Sequence, residues 1–397
     1  MSTIGCNTML RNVAELWLKI YIAASFIHSA AWGLYFAFTR FYIVNELGGG
    51  YTALLLLTGA EWGLPALSII WGALADRCGR RRFVLLGATG ACAFIISTYV
   101  TDPIPFVIVL SYASLAWGLA WPSVLAPILS SSESVGYRYG LFTIGSAIGW
   151  SIGSSAMGFI YNHLGPCGVL YSIALLYAAS YLLYTLFFPR SYAQLQSAGT
   201  YSKAFLRIVM RILLLLIAIA LTTFGIEVSF NVMAVKLRSE ISEVFSHIDR
   251  EANTILFGIL YGGLTAILSI PARIIAGKIV DRWDPLWLFI TVNVIYAMYI
   301  MGLALSHGVV TIILWQIPLY PFYDVSVYTA TSRYASTELK AGIAGATLAA
   351  QSVGGLIVAL VGPVIDVMGV GFAMFIAYLA TIISAIICLI FIYLRSS

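Results

Sequence analysis

Gly72-Ala73-Leu74-Ala75-Asp76-Arg77-Cys78-Gly79-Arg80-Arg81-Arg82 is a charged island between two apolar runs, 51–75 and 83–101. Charge is scarce elsewhere: Asp, Glu, Lys and Arg make up 9% of the 397 residues, against 61% hydrophobic types. A water-soluble domain carries roughly 25% charged residues, so lipid rather than water must solvate most of this chain. A spanning helix needs about 20 mostly apolar residues. Working outward from the island, the stretches that qualify are 16–44, 51–75, 83–101, 104–130, 138–162, 168–188, 208–235, 252–280, 286–306, 309–332, 341–363 and 370–394. A membrane barrel would show alternating segments of about ten residues. These runs are longer and unbroken, so the reading is an all-α membrane protein with twelve transmembrane helices.

The island has a second copy. Gly277-Lys278-Ile279-Val280-Asp281-Arg282 follows the eighth run as Gly72 to Arg77 follows the second, at a constant offset of 205 residues. At that offset Gly140 maps to Gly345 and Gly149 to Gly354. Repeated matches at one spacing point to duplication, hence two pseudo-symmetric bundles of six helices. Parallel repeats of this kind suit a site at the bilayer midplane between them. The least apolar connection, around Pro189–Lys203, reads as a linker. The expected division is 1–188, a cytoplasmic linker over 189–205, and 206–397. With the amino terminus inside, seventeen basic residues fall on the cytoplasmic side and four (Arg40, Lys236, Arg238, Arg250) outside. The positive-inside rule therefore places both termini in the cytoplasm of a cell-membrane protein. The outer segment Lys236–Glu251 carries a helical stripe of Leu237, Ile241, Val244, Phe245 and Ile248, which predicts a helical extension or a short amphipathic helix.

The pattern G-x-L-x-D-R-x-G-R-R, carried here by Gly72, Leu74, Asp76, Arg77, Gly79, Arg80 and Arg81, resembles the second-to-third-loop signature of the major facilitator superfamily. Gly277, Asp281 and Arg282 form a degenerate second copy. The resemblance covers the whole chain. It implies two six-helix bundles that rock about a central cavity lined by the first, fourth, seventh and tenth helices. Two departures stand out. The fifth helix has the glycine-rich character of drug exporters (Gly145, Gly149, Gly153, Gly158) without their proline, and Pro363 sits in the eleventh helix instead. The fourth helix, with Tyr112, Ser114, Trp117, Trp121 and Pro122, lacks the arginine of many proton-coupled members.

The loop motif also has a physical reading of its own. Gly72 and Gly277 remove side chains where helices approach closely. Asp76 and Asp281 are placed to meet the positive amino-terminal end of a helix from the other half. Arg77, Arg80, Arg81 and Arg282 can clamp such a carboxylate while a gate is shut. Contacts made in one state and lost in the other bias an equilibrium rather than bind a solute.

Ionisable groups inside a membrane are expensive and mark function. His28, Glu61, Glu227, Arg273 and Asp324 lie inside the runs. Glu227, Glu61, Asp324 and His28 are the candidates for proton coupling. At about 1.5 Å per residue, Arg273 and Asp324 reach the same depth in the second half and are expected to pair. The candidates for the cavity wall are Trp32, Trp117, Trp121, Asn231, Arg273, Trp315, Tyr320, Tyr323 and Gln351. Aromatic faces with an excess of acids suit a flat, amphipathic or cationic solute.

No metal-ligand cluster, phosphate loop or nucleophile elbow occurs in the sequence, so neither an enzyme nor a bound cofactor is expected. The net charge of +5 is spread between apolar runs, which argues against nucleic acid. The expected function is secondary active transport of a small organic solute by alternating access, proton-coupled and leaning towards export of amphipathic or cationic compounds. The alternatives are proton symport of a neutral nutrient such as a sugar and, in another class, a non-transporting sensor or scaffold. The expected partners are the solute, a proton and the lipid bilayer, and the expected state is a monomer.

Overall fold

A computed structural model of the protein describes residues 3–129, 135–189, 203–334 and 340–396. The linker residues 190–202 lie outside this set. No strand occurs among the described residues. Hydrocarbon offers no hydrogen bonds, so each apolar run satisfies its own backbone as a helix.

The first run forms α1 (Thr3–Phe41) and the wider helical turn Tyr42–Glu46 that follows it. The second is divided into α2 (Gly50–Gly63) and α3 (Ser68–Cys78). Pro65 lacks the amide that would continue the ladder, and a tighter turn spans Leu64–Leu67. The third becomes α4 (Arg80–Gly87) and α5 (Ala91–Ser97). A Cβ on Gly87 would meet the Tyr181 ring at 2.5 Å, so only glycine fits there. Next come α6 (Pro103–Leu129) and α7 (Val135–Leu186). The 52 residues of α7 would make a rod of about 78 Å, far beyond a bilayer core of about 30 Å. The rod breaks at Gly165, whose φ of 67° suits glycine, with Pro166 following. The expected spans 138–162 and 168–188 are its two limbs.

The remaining helices are α8 (Lys203–Arg211), α9 (Leu213–Val244), α10 (Arg250–Gly258), α11 (Leu264–Val280), α12 (Pro285–Leu305), α13 (Val309–Trp315), α14 (Tyr320–Ser332), α15 (Lys340–Ile357), α16 (Gly362–Met368) and α17 (Val370–Ser396). Pro318 lies in the break between α13 and α14. The expected extension near residue 240 is present, because α9 runs on to Val244. Asp249 then caps α10 by accepting from the Ala252 amide at 2.7 Å. Among the described residues, eight helical stretches are long and apolar enough to cross a membrane. The divided second, third and tenth runs and the joined limbs of α7 account for the difference from the twelve expected.

The glycines of α7 let it lie directly on α1. A Cβ on Gly149 or Gly153 would meet the Phe26 or Ala30 carbonyl at 2.0 Å. Gly354 of α15 has the same relation to the Ala220 carbonyl of α9, at 2.1 Å. The glycines of the two contacts, Gly149 and Gly354, stand at the offset seen in the sequence.

The parts of the chain before residue 190 and after residue 202 meet at one end of the molecule. There Asp366 of α16 accepts from the Tyr51 and Thr52 amides at the start of α2, at 2.7 and 2.9 Å. Arg250 pairs with Glu46 at 3.3 Å, and Asn162 donates to the Glu251 carbonyl at 2.8 Å. Gly158 lies on Thr254 and Ile255. At the other end a Cβ on Gly72 would make only an ordinary contact with Pro122, at 3.6 Å, and one on Gly277 would meet nothing within 4 Å. The close approach expected at these two glycines is therefore not made in this structure, because the two parts stand apart there. Arg77, Arg81, Asp281 and Arg282 are exposed at this open end and Arg80 is half-buried. Arg81 donates to the Thr185 carbonyl at 3.0 Å. The Asp76 side chain lies outside the described residues.

Candidate functional site

Between the two parts lies a cavity of about 340 Å³. Helical periodicity builds its wall. His28, Trp32 and Phe36, four residues apart, form one face of α1, while Trp117 and Trp121 do the same on α6, and Ser146 and Trp150 on α7. Glu61 and Trp62 come from α2. The second part of the chain contributes Glu227 from α9, and Leu348 and Ser352 from α15. Five tryptophans thus surround a space the size of a small organic molecule.

The two glutamates have different surroundings. Glu61 is held by Arg40, which donates through Nη1 to Oε1 at 2.9 Å and through Nη2 to Oε2 at 2.6 Å. Side-chain exposure is 1% for Arg40 and 6% for Glu61, so the pair is buried. Tyr35 Oη adds a third bond to Glu61 Oε1 at 2.7 Å, and the Arg40 guanidinium lies 3.9 Å from the Phe36 ring centroid. A two-pronged, desolvated pair of this kind fixes both charges. Arg40 Nε donates across the interface to Asn231 Oδ1 at 3.0 Å. Because the guanidinium only donates, the Asn231 amide is oriented with Nδ2 towards its own helix, where it reaches the Glu227 carbonyl at 2.7 Å and Oε2 at 3.3 Å. No ion pair to Glu227 occurs among the described residues.

Arg40 is the principal residue the sequence reading misplaced. Its place near the end of the first run puts it with the outer loops when only the sequence is considered. The pointer to it was Glu61, since a buried carboxylate needs a counter-charge. Trp62 and Trp150 were also missed; neither carries a sequence signal that separates a cavity tryptophan from a lipid-facing one.

Other expected residues lie elsewhere. Trp315 is buried, donates to the Tyr261 carbonyl at 2.8 Å and stacks on Phe230. Tyr323 hydrogen-bonds Thr223 at 2.8 Å, and Gln351 accepts from Tyr328 at 3.0 Å. Thr223, one turn before Glu227 on α9, is thus satisfied inside the second part. Arg273 does not pair with Asp324 among the described ion pairs. It donates to Tyr320 Oη at 3.1 Å, with its guanidinium 5.2 Å from that ring's centroid. The two charges are near enough to interact, but without a close ion pair among the described residues. Trp315 and Tyr320 border a separate pocket of about 60 Å³. Asn231 joins the charge network behind the wall, and Asp324 does not line the tryptophan-walled cavity. No cluster of metal-binding side chains occurs among the described residues.

The sequence matches the family model described as the Major Facilitator Superfamily over residues 20–359. It is 26% identical over 308 residues to the multidrug resistance protein MdtG of Citrobacter koseri, covering 74% of this chain and 72% of that protein. Against the protein of the same name from Salmonella arizonae the identity is 26% over 326 residues, with 79% and 76% covered. Among solved structures, the nucleoside transporter NupG superposes with a TM-score of 0.78 at 15% identity, covering 96% of this chain and 99% of that one. A bacterial homologue of the lysosomal transporter Spinster, solved inward-facing and unoccupied, gives 0.69 at 13%, covering 94% and 97%. At these identities the structural likeness establishes the fold alone.

Proposed function

This chain belongs to the Major Facilitator Superfamily, and from that premise we propose that it is a proton-coupled exporter of amphipathic or cationic organic solutes working by alternating access. It is a multi-pass membrane transporter. The observation that carries the finer reading is the cavity itself. It is walled by tryptophans and carries two carboxylates, of which Glu61 is neutralised by Arg40 and Glu227 has no ion-pair partner among the described residues. Indole faces and one uncompensated acid favour a single positive charge on a flat body. The same acid can hold a proton when no cation is present, so solute and proton compete for Glu227. That competition is what an antiporter needs. The likeness to proteins named for multidrug resistance supports the direction.

In this reading the chain makes twelve traverses in two bundles, 1–188 and 206–397, joined by the linker 189–205, with both termini cytoplasmic and the protein acting as a monomer. The open end then faces the cytoplasm and the end closed by Asp366 faces outward. Gly72, Asp76, Arg77, Arg80, Arg81, Gly277, Asp281 and Arg282 would meet their counterparts when the inner end shuts. Asp324 is the remaining coupling candidate, through its neighbourhood with Arg273.

A specific feature favours the alternative, symport of a neutral sugar-like nutrient. Serines 29, 68, 114, 146 and 352 line the cavity, and the hydroxyls of Ser114 and Ser352 have no hydrogen-bond partner among the described residues. Proteoliposomes with an imposed pH gradient decide between the two. The exporter reading expects a lipophilic cation such as tetraphenylphosphonium to accumulate in the acidic compartment and to dissipate the gradient. Accumulation of neutral sugars down the proton gradient, with no effect of the cation, would overturn it.

A further inference from the structure

His28 stands inside the aromatic wall and is gripped at both ring nitrogens. The Trp32 indole Nε1 lies 2.9 Å from His28 Nε2. An indole N–H can only donate, so Nε2 must accept and carries no proton. The opposite nitrogen, Nδ1, lies 3.2 Å from Ser180 Oγ. Ser180 uses its own proton on the Tyr177 carbonyl, at 2.7 Å, so towards His28 it accepts. The imidazole is therefore the neutral tautomer with its proton on Nδ1. The ring face is also used: Trp121 stacks on it at 5.2 Å and 20°. The groups packed around it are Trp32 of α1, Trp121 of α6 and Tyr177, Tyr181 and Tyr184 of α7. No charged side chain is among these described contacts.

Resting on the reading of this cavity as the solute site, we propose that His28 is a positioning residue that sets solute specificity by orienting Trp32 and Trp121, and that it does not carry the transported proton. A second proton, on Nε2, would point donor at donor into the Trp32 N–H and break that bond. Trp32 would then swing from its place edge-on to Trp117 at 6.2 Å and Tyr35 at 5.0 Å. Tyr35 is the residue that bonds Glu61. The wall and the charge network thus share this one support, and a change at His28 alters what the cavity accepts rather than how many protons move.

Two arms test this. The first needs no solute. His163, His247 and His307 are exposed, and replacing all three with Gln leaves His28 as the sole histidine of four. Its 15N spectrum should show the neutral tautomer protonated on Nδ1 from about pH 8 to about pH 5, the range in which a free histidine changes charge. An imidazolium signal within that range overturns the proposal. The second arm uses tetraphenylphosphonium as probe. His28→Asn keeps a donor for Ser180 but loses the acceptor for Trp32. Its Kd should rise about tenfold, with the number of protons moved per cation unchanged. His28→Gln offers Trp32 an acceptor again and should recover part of that loss, and Trp32→Phe should weaken binding to the same degree with no further loss in combination with His28→Asn. Unchanged Kd in His28→Asn, or loss of gradient-driven accumulation in His28→Gln with exchange retained, overturns it. If the wild type fails to bind the probe at all, the cation reading of the cavity falls, while the spectrum still decides what His28 does.

Discussion

Glu61 and Glu227 face one cavity from opposite parts of the chain, and they are built for different work. Glu61 accepts two bonds from Arg40 and one from Tyr35. Its charge is held in place by a buried counter-charge. Glu227 is met by neutral donors alone among the described side-chain hydrogen bonds, the Asn231 amide at 3.3 Å and the Trp62 indole. A carboxylate held by neutral donors can gain or lose a proton without breaking an ion pair, and it can exchange that proton for a cation. The contrast teaches that membrane depth alone does not identify a coupling residue. What matters is whether the surroundings tolerate both charge states.

The contrast can be broken most completely at Glu227. Glu227→Gln mimics the protonated acid. Solute accumulation against a gradient in proteoliposomes should fall to the level seen without a gradient, while counterflow exchange persists and stability changes by less than about 1 kcal/mol. Wild-type accumulation by this variant would remove Glu227 from the coupling role. The next effect falls on Glu61. Arg40→Ala strands a buried carboxylate and should cost about 3–5 kcal/mol of stability, measured by thermal unfolding in detergent. Replacing Arg40 and Glu61 together with Met should recover most of that loss, because two apolar chains leave no unpaired charge. If the single and double variants are equally unstable, the pair is not what holds this part of the interface.

Cutting the connection between the two acids is milder. Asn231→Ala leaves Arg40 Nε without its partner and should cost about 1–3 kcal/mol. It should also shift the pH dependence of exchange in wild type but not in Glu227→Gln, since the amide acts on the second acid. The smallest effect is expected at the closed end. Asp366→Asn weakens the cap on α2 and should favour opening there by about 0.5–2 kcal/mol, read as greater labelling of a cysteine placed at Thr52. Unchanged labelling would mean that the glycine contacts at this end hold it shut unaided.

Much of the architecture was legible because hydrocarbon imposes it. Long apolar runs have to be helices, and the repeated islands at Asp76 and Asp281 pointed to the family. The glycine spacing on α7 was legible as close packing, but its partner was not. Gly149 and Gly153 sit on α1 of the same part, and Gly158 reaches the other part. Periodicity selects a face of a helix without saying which neighbour that face meets.

The site divides in the same way. Trp32, Trp117, Trp121, Glu61, Glu227 and His28 stand out by residue type inside the apolar runs, and all border the tryptophan-walled cavity. Trp315, Tyr320, Tyr323 and Gln351 were named on the same grounds and pack elsewhere. By itself the sequence determined that these groups lie in the membrane and must find partners. Only the tertiary structure decided the hydrogen-bond partners: Arg40 for Glu61, Trp32 for His28, and Tyr320 for Arg273. The physical reason is that depth along a helix follows from rise per residue, which the sequence counts, whereas rotation about each helix axis follows from packing between helices far apart in the chain.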